Sequence, residues 1–149
     1  MTTPTVATLK RISAPSLRDL LLSARVSSVA IIDVRDDDFV GGHIRDCIHV
    51  PTPALDHKIP ELIRTLGHKE TVVFHCSLSQ QRGPTAALRY LRERETKLGK
   101  GEVDTRKGDG EGRQEVYVLD KGFVGWQKLY GRDEKLTEGY APDIWEDEE

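Results

Sequence analysis

Two residues have the types and spacing to do chemistry together. Cys76 and Arg82 are separated by Ser77, Leu78, Ser79, Gln80 and Gln81, in the stretch FHCSLSQQRGP. An apolar burst closes at Phe74, and Pro84 marks the first turn of a helix, where a missing N–H costs nothing. A loop of this length at a helix N-terminus can curl its backbone N–H groups around a tetrahedral oxyanion. The same N–H groups and the helix dipole favour a thiolate at Cys76. Arg82 adds a planar fork able to hold two oxygens at once. Thiolate, cradle and fork are what in-line attack on a phosphate ester requires. A cysteine ending a buried strand is more often a small hydrophobe; the arginine spacing and the Gly-Pro opening of the next helix move the reading to nucleophile.

The elements around this loop follow from hydrophobic periodicity. Short apolar runs at 29–32, 71–74 and 116–119 are β-branched or aromatic and lack alternation, which suits strands buried on both faces of a parallel sheet. An alternating stretch at 6–12 adds a further strand. Helices are expected from Ser13 or Ser16 with Leu17, Leu20 and Leu21 on one face, over 54–66 but interrupted by Pro60, over 83–98, and over 125–130. Strands alternating with helices give an α/β domain with a mainly parallel central sheet and helices on both faces.

Composition narrows the class. A chain of 149 residues is about one domain, large enough to bury a core, and 32% charge with 37% hydrophobic residues is polar but globular. A net charge of −3 argues against a general nucleic-acid binder. No apolar run is long enough to span a membrane, and the first 13 residues lack the apolar segment of a secretory signal. Cys47 and Cys76 are the only cysteines, too few for a disulfide framework, so a reducing compartment is expected, cytoplasm or nucleus. Residues 99–113 are rich in glycine and charge and are expected to form a flexible insert. The acidic tail at 137–149 carries Tyr140 and Trp145, and two readings are open: a frayed end, or an aromatic pair docked on the domain.

With these residues in view, the chain resembles a known family. The loop HCSLSQQRGP resembles the active-site loop of M-phase inducer-type dual-specificity phosphatases, built on the rhodanese fold. It is also similar to the loop of rhodanese-type arsenate reductases. Asp33-Val34-Arg35, Phe39-Val40-Gly41-Gly42-His43-Ile44 and Ile48-His49-Val50-Pro51 resemble the signature around that fold's second and third strands. Leu119-Asp120-Lys121-Gly122-Phe123 with Trp126 resembles its closing strand, glycine turn and helix. The resemblance implies a single rhodanese-like domain over 1–149.

Within that superfamily, sulfurtransferases usually carry a loop one residue shorter, so five intervening residues favour a phosphate- or arsenate-sized cradle. The phosphatases carry glutamates in the loop; Ser77 and Gln81 stand in those places here, leaving the general acid unassigned. The resemblance implies a cysteine-dependent protein-tyrosine or dual-specificity phosphatase, with Cys76 and Arg82 catalytic and 77–82 binding phosphate. The alternative is an arsenate reductase using glutathione or glutaredoxin; thiosulfate sulfurtransfer and a non-catalytic binding module rank below. The substrate is then a phosphorylated protein or a small phosphate or arsenate oxyanion, with no nucleic acid or membrane as partner. His75 and Asp33 are candidate supporting residues. Asp33 with Arg35 reads as an ion pair holding loops, with a general-acid role for Asp33 as the lesser alternative. Asp36, Asp37 and Asp38 read as a solvated acidic turn that could disfavour anions. Cys47 reads as packing, or as a resolving thiol if it lies near Cys76. His43, Cys47 and His49 lack a fourth ligand, so neither metal nor cofactor is expected.

Overall fold

The computed structural model describes residues 5–99 and 114–146. The insert expected at 99–113 lies outside the described residues apart from the backbone of Gly99. The strands are β1 (Lys10–Ile12), β2 (Val29–Asp33), β3 (His43–Ile44), β4 (Ile48–His49), β5 (Thr71–His75), β6 (Glu115–Leu119) and β7 (Thr137–Glu138). Five of them form a sheet in the order β1-β6-β5-β2-β4, with every pairing parallel. β5 is central, so both of its faces are covered, and Val72, Val73, Phe74 and His75 are buried. That burial is why its sequence shows an unbroken apolar run.

Helices α1 (Ala14–Leu21), α2 (Leu55–Thr65), α3 (Arg82–Gly99), α4 (Gly122–Tyr130) and the short α5 (Pro142–Trp145) complete the chain. α2 and α3 cover one face, packing Ile59, Leu62, Ala86, Ala87 and Tyr90 on Ile32, Val72, Phe74 and Val118. α1 and α4 cover the other, with Leu17, Phe123 and Trp126 on Ile31, Val73 and Leu119. The chain is thus an α/β domain with a mainly parallel central sheet and helices on both faces. Ser13 caps α1 by accepting from the Ser16 amide at 3.2 Å, with Pro15 in the first turn. Among the described residues no helix is long and apolar enough to cross a membrane.

Two details depart from the sequence expectations, and a third bears on the two readings of the tail. The strand expected over 6–12 is confined to Lys10–Ile12, preceded by a 3-10 turn at Val6–Thr8. α2 runs through Pro60 without a break. The tail joins the packed domain through at least Trp145: β7 pairs antiparallel with β3, and the Trp145 ring lies 5.5 Å from that of Phe123. Its indole N–H donates to the Gly41 carbonyl at 2.9 Å, so the docked aromatic reading describes the residues up to 146.

Candidate active site

Cys76 follows directly on β5, at the carboxyl end of the parallel sheet, where ligands of open α/β folds bind. Side chains alternate along a strand, so Cys76 shares the face of Phe74 and Val72 and meets the start of α3. The Gly83 amide donates to its Sγ at 3.4 Å. A side chain at Gly83 would be crowded: a Cβ there would lie 3.2 Å from the His75 Cα and 3.3 Å from the Cys76 amide nitrogen. That close approach brings the first turn of α3 down onto the cysteine.

The loop between Cys76 and Arg82 has its carbonyls drawn outward. At the N-terminus of α4, the Phe123 amide donates to the Cys76 carbonyl at 3.0 Å and the Val124 amide to the Ser77 carbonyl at 2.9 Å. Arg11, from β1, donates through Nη2 to the Ser79 carbonyl at 3.1 Å. Gly122 permits this seating. It holds φ +57°, and a Cβ would fall 2.4 Å from the Ser77 carbonyl oxygen. With those carbonyls engaged, the amides of 77–82 find no acceptor among the described residues, which leaves a row of donors beside Cys76. Ser79 adopts φ +56° within this row and is fully buried, while Leu78 is half exposed at the rim.

Arg82 opens α3 and turns toward the segment after β2. Its Nη1 donates to Asp38 Oδ1 at 2.8 Å and its Nη2 to Asp38 Oδ2 at 2.6 Å, with a longer contact from Nη1 to Asp36 Oδ2 at 3.4 Å. Ser77 Oγ donates to Asp38 Oδ2 at 2.6 Å. The Arg82 guanidinium and the Ser77 hydroxyl hold the Asp38 carboxyl well below the usual carboxylate range, against the pull of burial. Asp38 in turn pushes the guanidinium up. Asp36 and Asp38 are therefore charged partners of the loop and do not form a freely solvated turn.

Asp33 and His75 lie beneath the loop. Both are fully buried, and Asp33 accepts from Arg35 through both oxygens, at 2.8–3.1 Å. Burial would raise the Asp33 carboxyl, but the facing His75 and Arg35 outweigh it and hold it below its ordinary value. The Arg35 guanidinium lies between the rings of Phe39 and Phe123, 4.9 and 4.3 Å from their centroids. It also donates to the carbonyls of Gly42 at 2.8 Å and of Asp38 and Val40 at 3.4 Å. The pair thus builds the 36–42 turn and has no reach to a leaving group. His75 Nδ1 donates to the Cys76 carbonyl at 3.1 Å, and burial pushes its imidazole below the ordinary range.

Cys47 belongs elsewhere. It packs with the residues on the α1/α4 face, whereas Cys76 sits on the α2/α3 face. Burial, then the Asp33 charge, push the Cys47 thiol up to about 12.

Sequence reasoning brought Cys76, Arg82 and the intervening loop together as the structure places them, but missed the contacts made by Asp36, Asp38, Arg11 and Gly122. The adjacency of β2 and β5 was the available signal: residues just beyond β2 must lie beside the loop just beyond β5.

Comparisons with known proteins agree with this architecture. A family model described as "Rhodanese-like domain" matches residues 13–129. The CDC25-like phosphatase YCH1 of Saccharomyces cerevisiae is 40% identical over 126 residues, covering 77% of this chain and 76% of the relative. Arsenate reductase 2.1 of Oryza sativa is 37% identical over 120 residues, covering 79% and 69%. The solved structure of a yeast protein tyrosine phosphatase of the rhodanese family superposes with a TM-score of 0.70 at 33% identity, covering 97% of this chain and 99% of the other. The chain belongs to the rhodanese-like family and, within it, to the branch of the Cdc25-like phosphatases and arsenate reductases.

Proposed function

We propose that the chain is a cysteine-dependent phosphatase acting on phosphotyrosine-type, and by extension dual-specificity, phosphate esters. The observation that carries this is the loop itself: carbonyls turned away to α4 and Arg11, amides of 77–82 beside Cys76 with no acceptor among the described residues, and Arg82 at its end. The Cys76 thiolate attacks phosphorus, an S–P bond forms, and the ester P–O bond breaks with the electron pair leaving on oxygen. Water then attacks phosphorus, the S–P bond breaks and the thiolate returns. Loop amides and the Arg82 guanidinium stabilise the equatorial oxygens, where negative charge concentrates. Ser77 and Gln81 bring no acid to the loop, and Asp33 is sealed beneath it, so aryl oxides, which leave without help, are the favoured leaving groups. A reducing compartment, cytoplasm or nucleus, keeps the thiolate available.

Arsenate reduction is the second reading, favoured by the same lack of a loop acid and by the rice arsenate reductase relative. Cys76 would displace hydroxide from arsenate. A thiol such as glutathione or glutaredoxin would then attack the sulfur, taking arsenic from As(V) to As(III) and leaving a mixed disulfide on Cys76. A second thiol would reduce that disulfide. Cys47 packs on the other face of the sheet, so the thiol must come from outside the chain. Parallel assays test both readings. Aryl phosphate hydrolysis lost in Cys76→Ser supports the phosphatase, and thiol-dependent arsenite formation without hydrolysis replaces it with the reductase. Activity retained by Cys76→Ser, or blank assays for the wild type, would sink both.

A further inference from the structure

Nucleophilic attack by Cys76 does not account for the carboxylate at Asp38. Its Oδ1 accepts from Arg82 Nη1 at 2.8 Å and from the Asp36 amide at 2.8 Å, and its Oδ2 accepts from Arg82 Nη2 at 2.6 Å and from Ser77 Oγ at 2.6 Å. Four hydrogen bonds on one surface carboxylate, three of them from the two ends of the candidate loop, amount to a built arrangement.

A count of guanidinium protons says what the arrangement does. Arginine carries five N–H bonds in one plane: two on Nη1, two on Nη2 and one on Nε. Asp38 engages one from each Nη, across the end of the fork. Asp36 takes the outer proton of Nη1. Two protons remain, the Nε–H and the outer Nη2–H. They are parallel, on one edge of the plane, and form a second bidentate face. No described residue accepts from Nε.

We propose that Asp38 is a positioning residue for Arg82, holding the guanidinium end-on so that its Nε–Nη2 edge is the face presented to the oxyanion. Because Asp38 uses the end of the fork and leaves the side edge, an incoming anion need not displace it. The supports beneath Asp38 make the clamp stiff. Asp36 is tied to Thr52 by its amide at 2.7 Å and its hydroxyl at 2.8 and 2.9 Å. Arg35 fastens the backbone of the same turn through the carbonyls of Asp38, Val40 and Gly42. An arginine already oriented loses little further freedom when the anion binds, and its charge meets the developing charge without rearrangement. Asp36, Asp37 and Asp38 also keep the rim acidic, so the arrangement trades raw anion affinity for orientation.

The inference rests on Arg82 being the fork that receives the oxyanion. It is tested with tungstate, a tetrahedral oxyanion that cannot be turned over, on the full chain. Asp38→Asn should weaken tungstate binding by about tenfold and lower kcat/KM for an aryl phosphate by a similar factor. The melting temperature should stay near that of the wild type. In an Arg82→Lys background, Asp38→Asn should change tungstate affinity by less than about twofold, because the group it positions is gone. A merely structural role would weaken binding equally in both backgrounds, and that result overturns the proposal. Tighter tungstate binding in Asp38→Asn would make Asp38 a competitor for the anion, which also overturns it. So would unchanged tungstate binding with losses confined to poor leaving groups, the mark of an acid. Wild-type protein that neither binds tungstate nor hydrolyses the ester overturns the phosphatase reading together with this one. Active wild type with an indifferent Asp38→Asn overturns this one alone.

Discussion

Cys76 and Cys47 are the same side chain in opposite surroundings. Cys76 directly follows the central strand, accepts a hydrogen bond from the Gly83 amide, and is followed by amides that find no acceptor among the described residues. Cys47 sits between two short strands, β3 and β4, on the far face of the sheet, half buried, with the Asp33 charge acting against its thiolate. One environment supplies donors to an anion; the other supplies burial and a negative charge. On the proposed reading, reactivity in this chain is a property of position at the carboxyl end of β5, and neither exposure nor residue type predicts it.

The sharpest way to break that contrast is substitution at both cysteines. Cys76→Ala should reduce aryl phosphate hydrolysis by about 10⁴-fold or more. Cys47→Ala should leave kcat/KM within about threefold. Comparable losses at the two positions would remove the distinction and reopen a resolving role for Cys47.

Alkylation offers a smaller but more direct measure. A thiol at about 12 has roughly 10³·⁵ less thiolate than an ordinary cysteine, partly offset by its greater intrinsic nucleophilicity. Cys47 should therefore react with iodoacetamide about a hundredfold more slowly than a free cysteine at pH 8, as followed by peptide mass spectrometry. Cys76 should be labelled first and be protected by tungstate. Rapid, tungstate-insensitive labelling at Cys47 would contradict its assignment as packing.

Gly122 tests whether the loop's turned-out carbonyls matter. Gly122→Ala places a Cβ 2.4 Å from the Ser77 carbonyl oxygen, in a backbone conformation at φ +57° that costs a side chain about 1–2 kcal/mol. The two effects together should lower stability by about 2 kcal/mol or more and activity by about tenfold, through a displaced loop. Thermal unfolding and steady-state kinetics would show it, and loss of stability with unchanged kcat/KM would mean that the α4 seating only supports the fold.

The same contrast explains what could be read from the sequence. The Cys76 environment is local: the end of an apolar strand, a fixed spacing and Gly-Pro, all within eleven residues, so spacing alone exposed it. β2, β5 and β6 were legible because burial on both faces requires continuous apolar runs. β3, β4 and β7, at two residues each, are too short to show a period. Asp38 is 44 residues from Arg82, and its role depends on which strands are neighbours. Trp145 docks on the backbone of Gly41, 104 residues away, a partner no local pattern names.

The buried group that touches both regions gives the smallest expected effect. His75 precedes Cys76, and Asp33, which raises the Cys47 thiol, faces His75 with Arg35 alongside. Burial lowers the His75 value in the folded chain, so an unfolded chain, with an ordinary histidine near 6.5, binds a proton the folded chain refuses. Stability should then fall as pH drops below about 6.5, approaching about 1.4 kcal/mol per pH unit from this residue. Asp33 has the opposite kind of group and the same direction of effect. Its lowered value means that its contribution is full above about 3.9 and is lost as pH falls through the folded value, so it joins only at stronger acid. Denaturant unfolding at pH 7, 6 and 5 should show His75→Gln flattening the slope by close to one proton. An unchanged slope would mean that His75 is charged in the folded chain, paired with Asp33, and that the loop beginning at Cys76 rests on a cation.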